Sequence, residues 1–160
     1  MNFGFRTLWA SVFGPLLQRP KRLQVAALCH RGDGDDREYL LVTSRDTARW
    51  IIPKGWPIRG LNSSETALRE AWEEAGVRPG KIEAEPIGSY DYNKRLATGW
   101  AVPVQTLVYS VAVRDLAREF PEAHERKRKW VKAARAADLV NEAGLKSIFL
   151  TQNAVCADAK

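Results

Sequence analysis

The apolar residues in the first third of the chain fall into short runs separated by residues that favour turns. Residues 24–30 (QVAALCH) and 38–43 (EYLLVT) form two such runs, with RGDGDD between them. Their length and their flanks predict a pair of β-strands. Residues 50–52 (WII) form a third run that stops at a proline and predicts another short strand. The next segment, residues 54–61 (KGWPIRGL), is interrupted by Gly and Pro and therefore predicts a loop.

A helix is predicted directly after this loop. Asn62 can cap the first turn, and Glu65, three positions on, can reach back to the backbone N–H of the cap residue. Gly76 stands where a left-handed residue commonly ends a helix. These signals at both ends predict a helix over residues 63–75.

The second half of the chain continues this mixture of strands and helices. Residues 85–92, 105–113 and 128–131 form runs rich in β-branched and aromatic residues and predict three more strands. Residues 134–140 and 141–153 carry helix formers and predict two helices, with fraying over the last few residues.

Length and charge narrow the class of protein. With 160 residues, 45% of them hydrophobic, the chain suits one domain with one core. Lys and Arg outnumber Asp and Glu by 25 to 19, and the net charge of +6 favours an anionic ligand. No RNA- or DNA-binding motif accompanies the basic clusters, so we expect a phosphorylated small molecule and no nucleic acid. Two distant cysteines without a C-x-x-C spacing exclude a zinc cluster and favour a cytoplasmic location.

The chain begins with an apolar and aromatic stretch over residues 3–17. Arg6 interrupts it, a Gly-Pro pair breaks it, and it is too short to span a bilayer. We predict an N-terminal arm over residues 1–20 that packs on the domain or on a partner, without membrane docking. A folded domain over residues 21–155 follows, and homodimer formation is left open.

Three glutamates lie on one face of the predicted helix. Glu70 precedes Glu73 and Glu74 by three and four positions, which brings the carboxylates within reach of one another. Their repulsion costs only about a few tenths of a kcal/mol on an exposed helix, so a solvated acidic face is one explanation. The other is a hard divalent cation such as Mg²⁺ or Mn²⁺, which prefers oxygen ligands and would neutralise the three.

The residues around these glutamates favour the second explanation. Gly55 precedes the segment REAWEEAGV, residues 69–77, by fourteen positions. Together they resemble the Nudix box, G-x5-E-x7-R-E-U-x-E-E-x-G-U with U aliphatic. The flanking segments TSRDTARWIIPKGWP and ERKRKWV are similar to those of the diphosphoinositol polyphosphate phosphohydrolase branch of the Nudix family.

Two positions depart from the family pattern. Leu61 stands where the family usually has Glu, and Ala71 replaces a larger aliphatic residue. Glu65 lies one turn before Arg69, and we expect it to orient that arginine in place of the missing glutamate. The three glutamates of the box are retained.

The resemblance implies a metal-dependent catalytic site. Glu70 and Glu74 would bind Mg²⁺ or Mn²⁺, Glu73 would be a ligand or the general base, and the Gly55 carbonyl would supply a further contact. Breaking a phosphoanhydride requires cations that neutralise developing oxygen charge, and a base or metal that activates water.

Basic residues outside the helix would bind the phosphates of the substrate, because Arg and Lys suit phosphate oxygens. The resemblance and the sequence positions suggest Ser44, Arg45, Lys54, Arg126 and Arg128. Glu122 and Glu125 are further candidates for the base, although exposed acids in a polar loop explain them equally well.

The fold that the resemblance implies is α/β, an α/β/α sandwich with a mixed sheet. The implied reaction is hydrolysis of a phosphoanhydride bond in diphosphoinositol polyphosphates or dinucleoside polyphosphates. The alternatives are a pyrophosphohydrolase acting on nucleoside triphosphates or nucleoside diphosphate derivatives, and a non-catalytic Nudix-fold sensor of nucleotides. Retention of the glutamates argues against the sensor, since crowded carboxylates without a metal would repel an anionic ligand.

Overall fold

The computed structural model of the chain describes residues 20–158. The strands in this range are β1 (Arg22–Arg31), β2 (Glu38–Thr43), β3 (Trp50–Ile51), β4 (Lys54–Gly55), β5 (Val77–Ile82), β6 (Gly88–Arg95), β7 (Ala101–Leu116) and β8 (Arg128–Val131). The helices are α1 (Ser63–Ala75), α2 (Ala133–Leu139) and α3 (Ala143–Asp158), with a short 3-10 turn at Gly34–Asp36. The arm predicted over residues 1–20 lies outside the described residues except for Pro20.

These strands form one mixed sheet. Strands β3, β2, β1, β7 and β5 follow one another across it, while β4 pairs with β1, β6 with β7 and β8 with β2. Strands β1 and β7 run parallel along most of β1, and the other pairings are antiparallel. Strand β1 is therefore the centre of the sheet, and β4 is attached directly to it.

Alternate residues of β1 face opposite helical layers. Val25, Ala27 and Cys29 pack in the same core cluster as the alanines of α1, whereas Ala26 and Leu28 pack in a second cluster with residues of α2 and α3. Period-two alternation on a strand buried on both sides produces this arrangement. The predicted α/β/α sandwich with a mixed sheet is confirmed.

Helix α1 has the predicted bounds and the predicted signals at both ends. The Asn62 Oδ1 atom accepts a hydrogen bond from the Glu65 N–H at 2.8 Å, and the Asn62 N–H donates to Glu65 Oε2 at 2.8 Å. This pair is a complete capping box. Gly76 ends the helix with a φ of 64°, a left-handed conformation that glycine adopts without steric cost.

Several strands differ from the sequence prediction. Strand β4 lies inside the segment predicted as a loop, because its two residues pair with β1 through tertiary contact rather than local pattern. The sequence does not predict β5, whose VRPGKI segment contains Pro and Gly and pairs with β7 through two register shifts. Strand β6 is displaced toward the C-terminus relative to the predicted 85–92, and β7 extends beyond the predicted 105–113 at both ends.

The C-terminal helices are confirmed with small shifts. Helix α2 begins and ends one residue before the predicted 134–140, and α3 continues to Asp158, past the predicted end at residue 153. No helix within residues 20–158 combines the length and apolarity that crossing a bilayer requires.

Candidate active site

Strand β4 holds Gly55 directly against Glu70. Gly55 pairs with Val25 at the centre of the sheet. A Cβ atom at position 55 would overlap the carboxylate of Glu70, so a larger residue there would displace this side chain. The glycine and the first glutamate of the REAWEEAGV pattern are therefore in contact.

The Glu70 carboxyl lies in a partly buried and electronegative environment. Burial, followed by the charges of Glu74, Glu73 and Glu122, raises the pKa of Glu70 to about 7. Burial disfavours the charged form, and nearby like charges add to that effect. In the absence of a compensating cation, this carboxyl therefore holds its proton to a higher pH than an ordinary glutamate does.

Glu74 is buried and held by two donors. Its Oε2 atom accepts a hydrogen bond from the backbone N–H of Lys54 at 3.1 Å, and its Oε1 atom pairs with Nη2 of Arg126. Burial raises the pKa of Glu74, while the Arg126 charge and the Lys54 hydrogen bond oppose that rise. The carboxylate is thus fixed between β4 and the segment that precedes β8.

Glu73 is partly exposed, with 37% of its side chain accessible, whereas Glu74 is buried. Its Oε1 atom lies 3.7 Å from Nη1 of Arg69, one turn earlier on α1. The expected pairing of Arg69 with Glu65 is wrong, because the Glu65 carboxylate is used to cap the helix. Arg69 is therefore positioned beside Glu73.

The donor set of the site suits a hard divalent cation in its chemistry. Within residues 20–158, no three Asp, Glu, His or Cys side chains are clustered closely enough to hold a metal ion. The available donors are nevertheless carboxylate oxygens, which Mg²⁺ and Mn²⁺ prefer. The raised pKa of Glu70 indicates excess negative charge that such a cation would relieve. Among the described residues, the Glu73 carboxylate pairs with the exposed Arg69, and 37% of its side chain is accessible.

Arg126, one of the predicted phosphate contacts, is buried within the protein. Only 5% of its side chain is accessible. It pairs with Glu74 and Glu122, and its Nη1 atom donates to the Thr43 carbonyl at 2.8 Å. All three guanidinium nitrogens are therefore engaged by the protein.

Arg128 is also engaged by the protein. Its Nη1 atom donates to the carbonyls of Ala75 at 2.9 Å and Ala117 at 2.8 Å, and its guanidinium carbon lies 4.7 Å from the centre of the Phe120 ring. A cation at the carbonyl end of a helix stabilises that end. These contacts attach Arg128 to the C-terminal end of α1.

Ser44 and Arg45 lie at the end of β2. The Ser44 hydroxyl bonds to the Thr47 hydroxyl at 2.8 Å and accepts from the Arg49 N–H at 3.2 Å, so it stabilises the turn before β3. Arg45 is 57% exposed and lies 3.4 Å from both Glu122 and Glu125. Ser44 therefore has a structural role in the turn, whereas the Arg45 guanidinium is exposed to solvent beside the acidic residues of the site.

A set of cations and aromatic rings lies around β4, and we call it the cation–aromatic cluster: Arg22, Lys54, Trp56, Tyr92 and Lys94. The Arg22 guanidinium carbon is 4.4 Å and the Lys94 Nζ is 4.7 Å from the centre of the Trp56 ring, while the Lys54 Nζ is 5.5 Å from that of Tyr92. None of the three cations has a carboxylate oxygen within 4 Å in the described part of the chain. Burial lowers the pKa of Lys54 to about 8 and also lowers that of Lys94.

Apart from Lys54, the sequence prediction missed this cluster. Its members come together because Arg22 of β1 and Tyr92 of β6 both pair with Val104, on opposite sides of β7. The basic pair at the start of β1 was a local signal, but no spacing in the sequence indicated that it would meet the end of β6.

Comparison with known proteins agrees with this fold and this arrangement. The NUDIX domain family matches residues 20–150, which is most of the chain. The α/β/α sandwich with glutamates on the helix after β4 is therefore a Nudix domain. The chain belongs to the Nudix family.

Curated relatives and solved structures extend the comparison. Human diphosphoinositol polyphosphate phosphohydrolase 3-beta is 31% identical over 115 residues, which cover 71% of this chain and 65% of the human protein. The C. elegans Ap4A hydrolase is 19% identical with a TM-score of 0.61, covering 85% of this chain and 98% of that one. The NUDIX domain of Shewanella oneidensis NrtR, solved with ADP ribose, is 21% identical with a TM-score of 0.61, covering 93% and 97%. At these identities the two structures show the shared fold.

Proposed function

We propose that this chain is a metal-dependent hydrolase that cleaves a phosphoanhydride bond, with Mg²⁺ or Mn²⁺ as its cofactor. The observation that carries the proposal is the environment of Glu70, which packs against Gly55 and whose pKa is raised by burial and by the charges of three further carboxylates. A protein that binds an anion gains nothing from this crowding unless a cation is bound as well.

The glutamates of α1 would share the metal and the proton transfer. Glu70, Glu74 and the Gly55 carbonyl would hold the cation, and it would neutralise charge that develops on the phosphate oxygens. Glu73 would be a further ligand or would accept the proton of the attacking water, because its side chain is accessible to solvent. Arg69 would orient Glu73 through their ion pair.

The phosphates of the substrate would lie against cations that have no carboxylate partner. Lys54, Arg22 and Lys94 satisfy this condition, and Arg45 at the exposed rim would add a fourth positive charge. Ser44 would support Arg45 by fixing the turn that carries it. Cations held in place by aromatic rings lose little further freedom when a phosphate binds.

We propose a substrate with several phosphates, namely a diphosphoinositol polyphosphate or a dinucleoside polyphosphate. The names of the curated relatives at about 30% identity support the first, and the fold shared with an Ap4A hydrolase is compatible with the second. Nucleoside triphosphates and nucleoside diphosphate derivatives are the alternative substrates. The buried free thiol of Cys29 is compatible with the cytoplasmic location that we propose.

A substrate panel tests this function. Phosphate release would be measured from diphosphoinositol polyphosphates, diadenosine polyphosphates, nucleoside triphosphates and ADP-ribose, with Mg²⁺ and then with a chelator. We expect turnover that requires the metal and that falls by about 10²-fold or more in Glu73→Gln, whereas Glu85→Gln, an exposed loop acid, serves as the matched control. Turnover with chelator, or full activity in Glu73→Gln, would contradict the mechanism.

The same panel separates the hydrolase from a sensor. Leu61, at the position where Glu is usual, is the feature that favours a non-catalytic role. Tight binding of one compound without turnover of any compound would support the sensor and would reject the hydrolase.

A further inference from the structure

The contacts of Arg126 differ from those of the other cations near the site. Its three guanidinium nitrogens donate separately to Glu74 on α1, to Glu122 in the segment before β8, and to the Thr43 carbonyl at the end of β2. Thr43 also accepts a hydrogen bond from the Lys127 N–H at 3.0 Å through its side chain. One buried guanidinium therefore connects three parts of the chain at the acidic face of α1.

The charge balance around Glu74 depends on the same residue. Only 8% of the Glu74 side chain and 18% of the Glu122 side chain are accessible. Arg126 contacts both, whereas Arg45 lies 3.4 Å from Glu122 and is itself exposed. A buried carboxylate without a paired cation is strongly disfavoured. Among the described residues, Arg126 is thus the cation that pairs with both of these acids.

We propose that Arg126 is a positioning residue for the metal-binding carboxylate of Glu74, and that it does not contact the substrate. Together with the Lys54 N–H at 3.1 Å, it fixes the plane of the Glu74 carboxylate by using one lone pair on each oxygen. The remaining lone pairs stay available for a cation. Hydrogen bonds from the surroundings to ligating carboxylates orient them in this way, and their loss typically weakens metal binding by about 10–100-fold.

This inference rests on the proposed metal site, and binding of Mn²⁺ to the substrate-free protein tests it independently of turnover. Calorimetric titration would compare the wild-type chain with Arg126→Gln and Arg126→Lys. Arg78→Gln is the matched control, because Arg78 forms an exposed ion pair with Asp115 on an edge strand. We expect Mn²⁺ affinity to fall about tenfold or more in Arg126→Gln, to be partly recovered in Arg126→Lys, and to be unchanged in the control.

Steady-state kinetics on the best substrate of the panel distinguish positioning from substrate binding. A positioning role predicts a lower kcat with KM changed by less than about threefold, measured at saturating metal. If Arg126→Gln fails to fold, the Mn²⁺ affinity and the kinetics of Arg126→Lys test the proposal without it. Lysine keeps the positive charge but can satisfy only part of the hydrogen bonds. Wild-type or tighter Mn²⁺ affinity in both variants, or a raised KM with an unchanged kcat, would overturn the proposal.

The failure of this inference can be told apart from that of the proposed function. If the wild-type chain binds Mn²⁺ but hydrolyses no compound of the panel, the hydrolase proposal is rejected. The comparison of Mn²⁺ affinities then still tests the positioning role of Arg126. If the wild-type chain binds no Mn²⁺, the inference about Arg126 is rejected with the metal site.

Discussion

Gly55 and Glu70 are in such close contact that a methyl group on the first would overlap the carboxylate of the second. The contact joins β4, which is anchored to the central strand of the sheet, to the middle of α1. It explains why a glycine at a fixed offset before the helix belongs to the same pattern as the glutamates. The absence of a side chain fifteen residues earlier permits this position of the Glu70 carboxylate.

The substitution Gly55→Ala tests this contact. The added methyl group would displace the Glu70 carboxylate, and we expect hydrolysis to fall by about tenfold or more because small misplacements of reacting groups are costly. Steady-state kinetics with Mg²⁺ would measure the loss. Gly80→Ala is the matched control, since a Cβ there meets only ordinary neighbours on an edge strand. Equal activity of the two variants would contradict the assigned contact.

The raised pKa of Glu70 predicts how the stability of the metal-free protein depends on pH. The folded state keeps the proton of Glu70 up to about pH 7, whereas the ordinary value in an unfolded chain is 4.5. Between pH 4.5 and 7, Glu70 is more protonated in the folded state than in the unfolded state. The free energy of unfolding therefore falls as pH rises through this range. Glu70→Gln removes this dependence.

We therefore expect metal-free Glu70→Gln to be more stable than the wild type at pH 8, by between about 1 and 3 kcal/mol. The advantage should shrink toward pH 5. Urea denaturation with a chelator at several pH values would measure it. His30, whose pKa burial lowers to about 4, contributes equally to both proteins and cancels. A difference that stays constant between pH 5 and 8 would show that the Glu70 pKa is not raised.

Arg128 is predicted to contribute to stability and not to substrate binding. Replacing Arg128 with Met removes two charge-assisted hydrogen bonds to the carbonyls of Ala75 and Ala117. We expect the free energy of unfolding to fall by about 2 kcal/mol and KM to change by less than about twofold. Lys129→Gln, at the exposed neighbouring position, is the control. A large rise in KM without loss of stability would show that Arg128 binds the substrate and would contradict the structural role.

The cation–aromatic cluster is predicted to set the affinity for polyphosphates. Lys94→Gln and Arg22→Gln should each raise KM for a substrate with several phosphates by about five- to tenfold, because each removes one charge near the bound phosphates. Trp56→Leu should have a similar effect, since its ring contacts both cations. These increases should become smaller at high salt. Lys146→Gln on α3 is the control, and equal effects in all four variants would reject a local role for the cluster.

Features specified by nearby residues were predictable from the sequence. The bounds of α1 follow from Asn62, Glu65 and Gly76, which act within one turn of each helix end. The regular part of the sheet follows from the apolar runs of β1 and β2. The resemblance to the Nudix box added the expected sandwich and the expectation that the Gly55 carbonyl contacts a metal ion.

Features that depend on distant contacts were not predictable in this way. Strand β5 contains Pro79 and Gly80, and it is a strand because β7 provides a partner. Arg126 lies 52 residues from Glu74 and 83 from Thr43, so its burial among acids could not be inferred from a basic run in the sequence. Arg128 belongs to the same run, and only the fold shows that its side chain turns to the end of α1.

The most direct test of the central claim is the rate of hydrolysis as a function of Mg²⁺ concentration, measured in wild type and in Glu70→Gln on the best substrate. We predict saturable dependence on Mg²⁺, complete loss with chelator, and a fall of about 10²-fold or more in the variant, since metal ions supply several kcal/mol of transition-state stabilisation. Hydrolysis that persists without a divalent cation, or at the wild-type rate in Glu70→Gln, would contradict the claim.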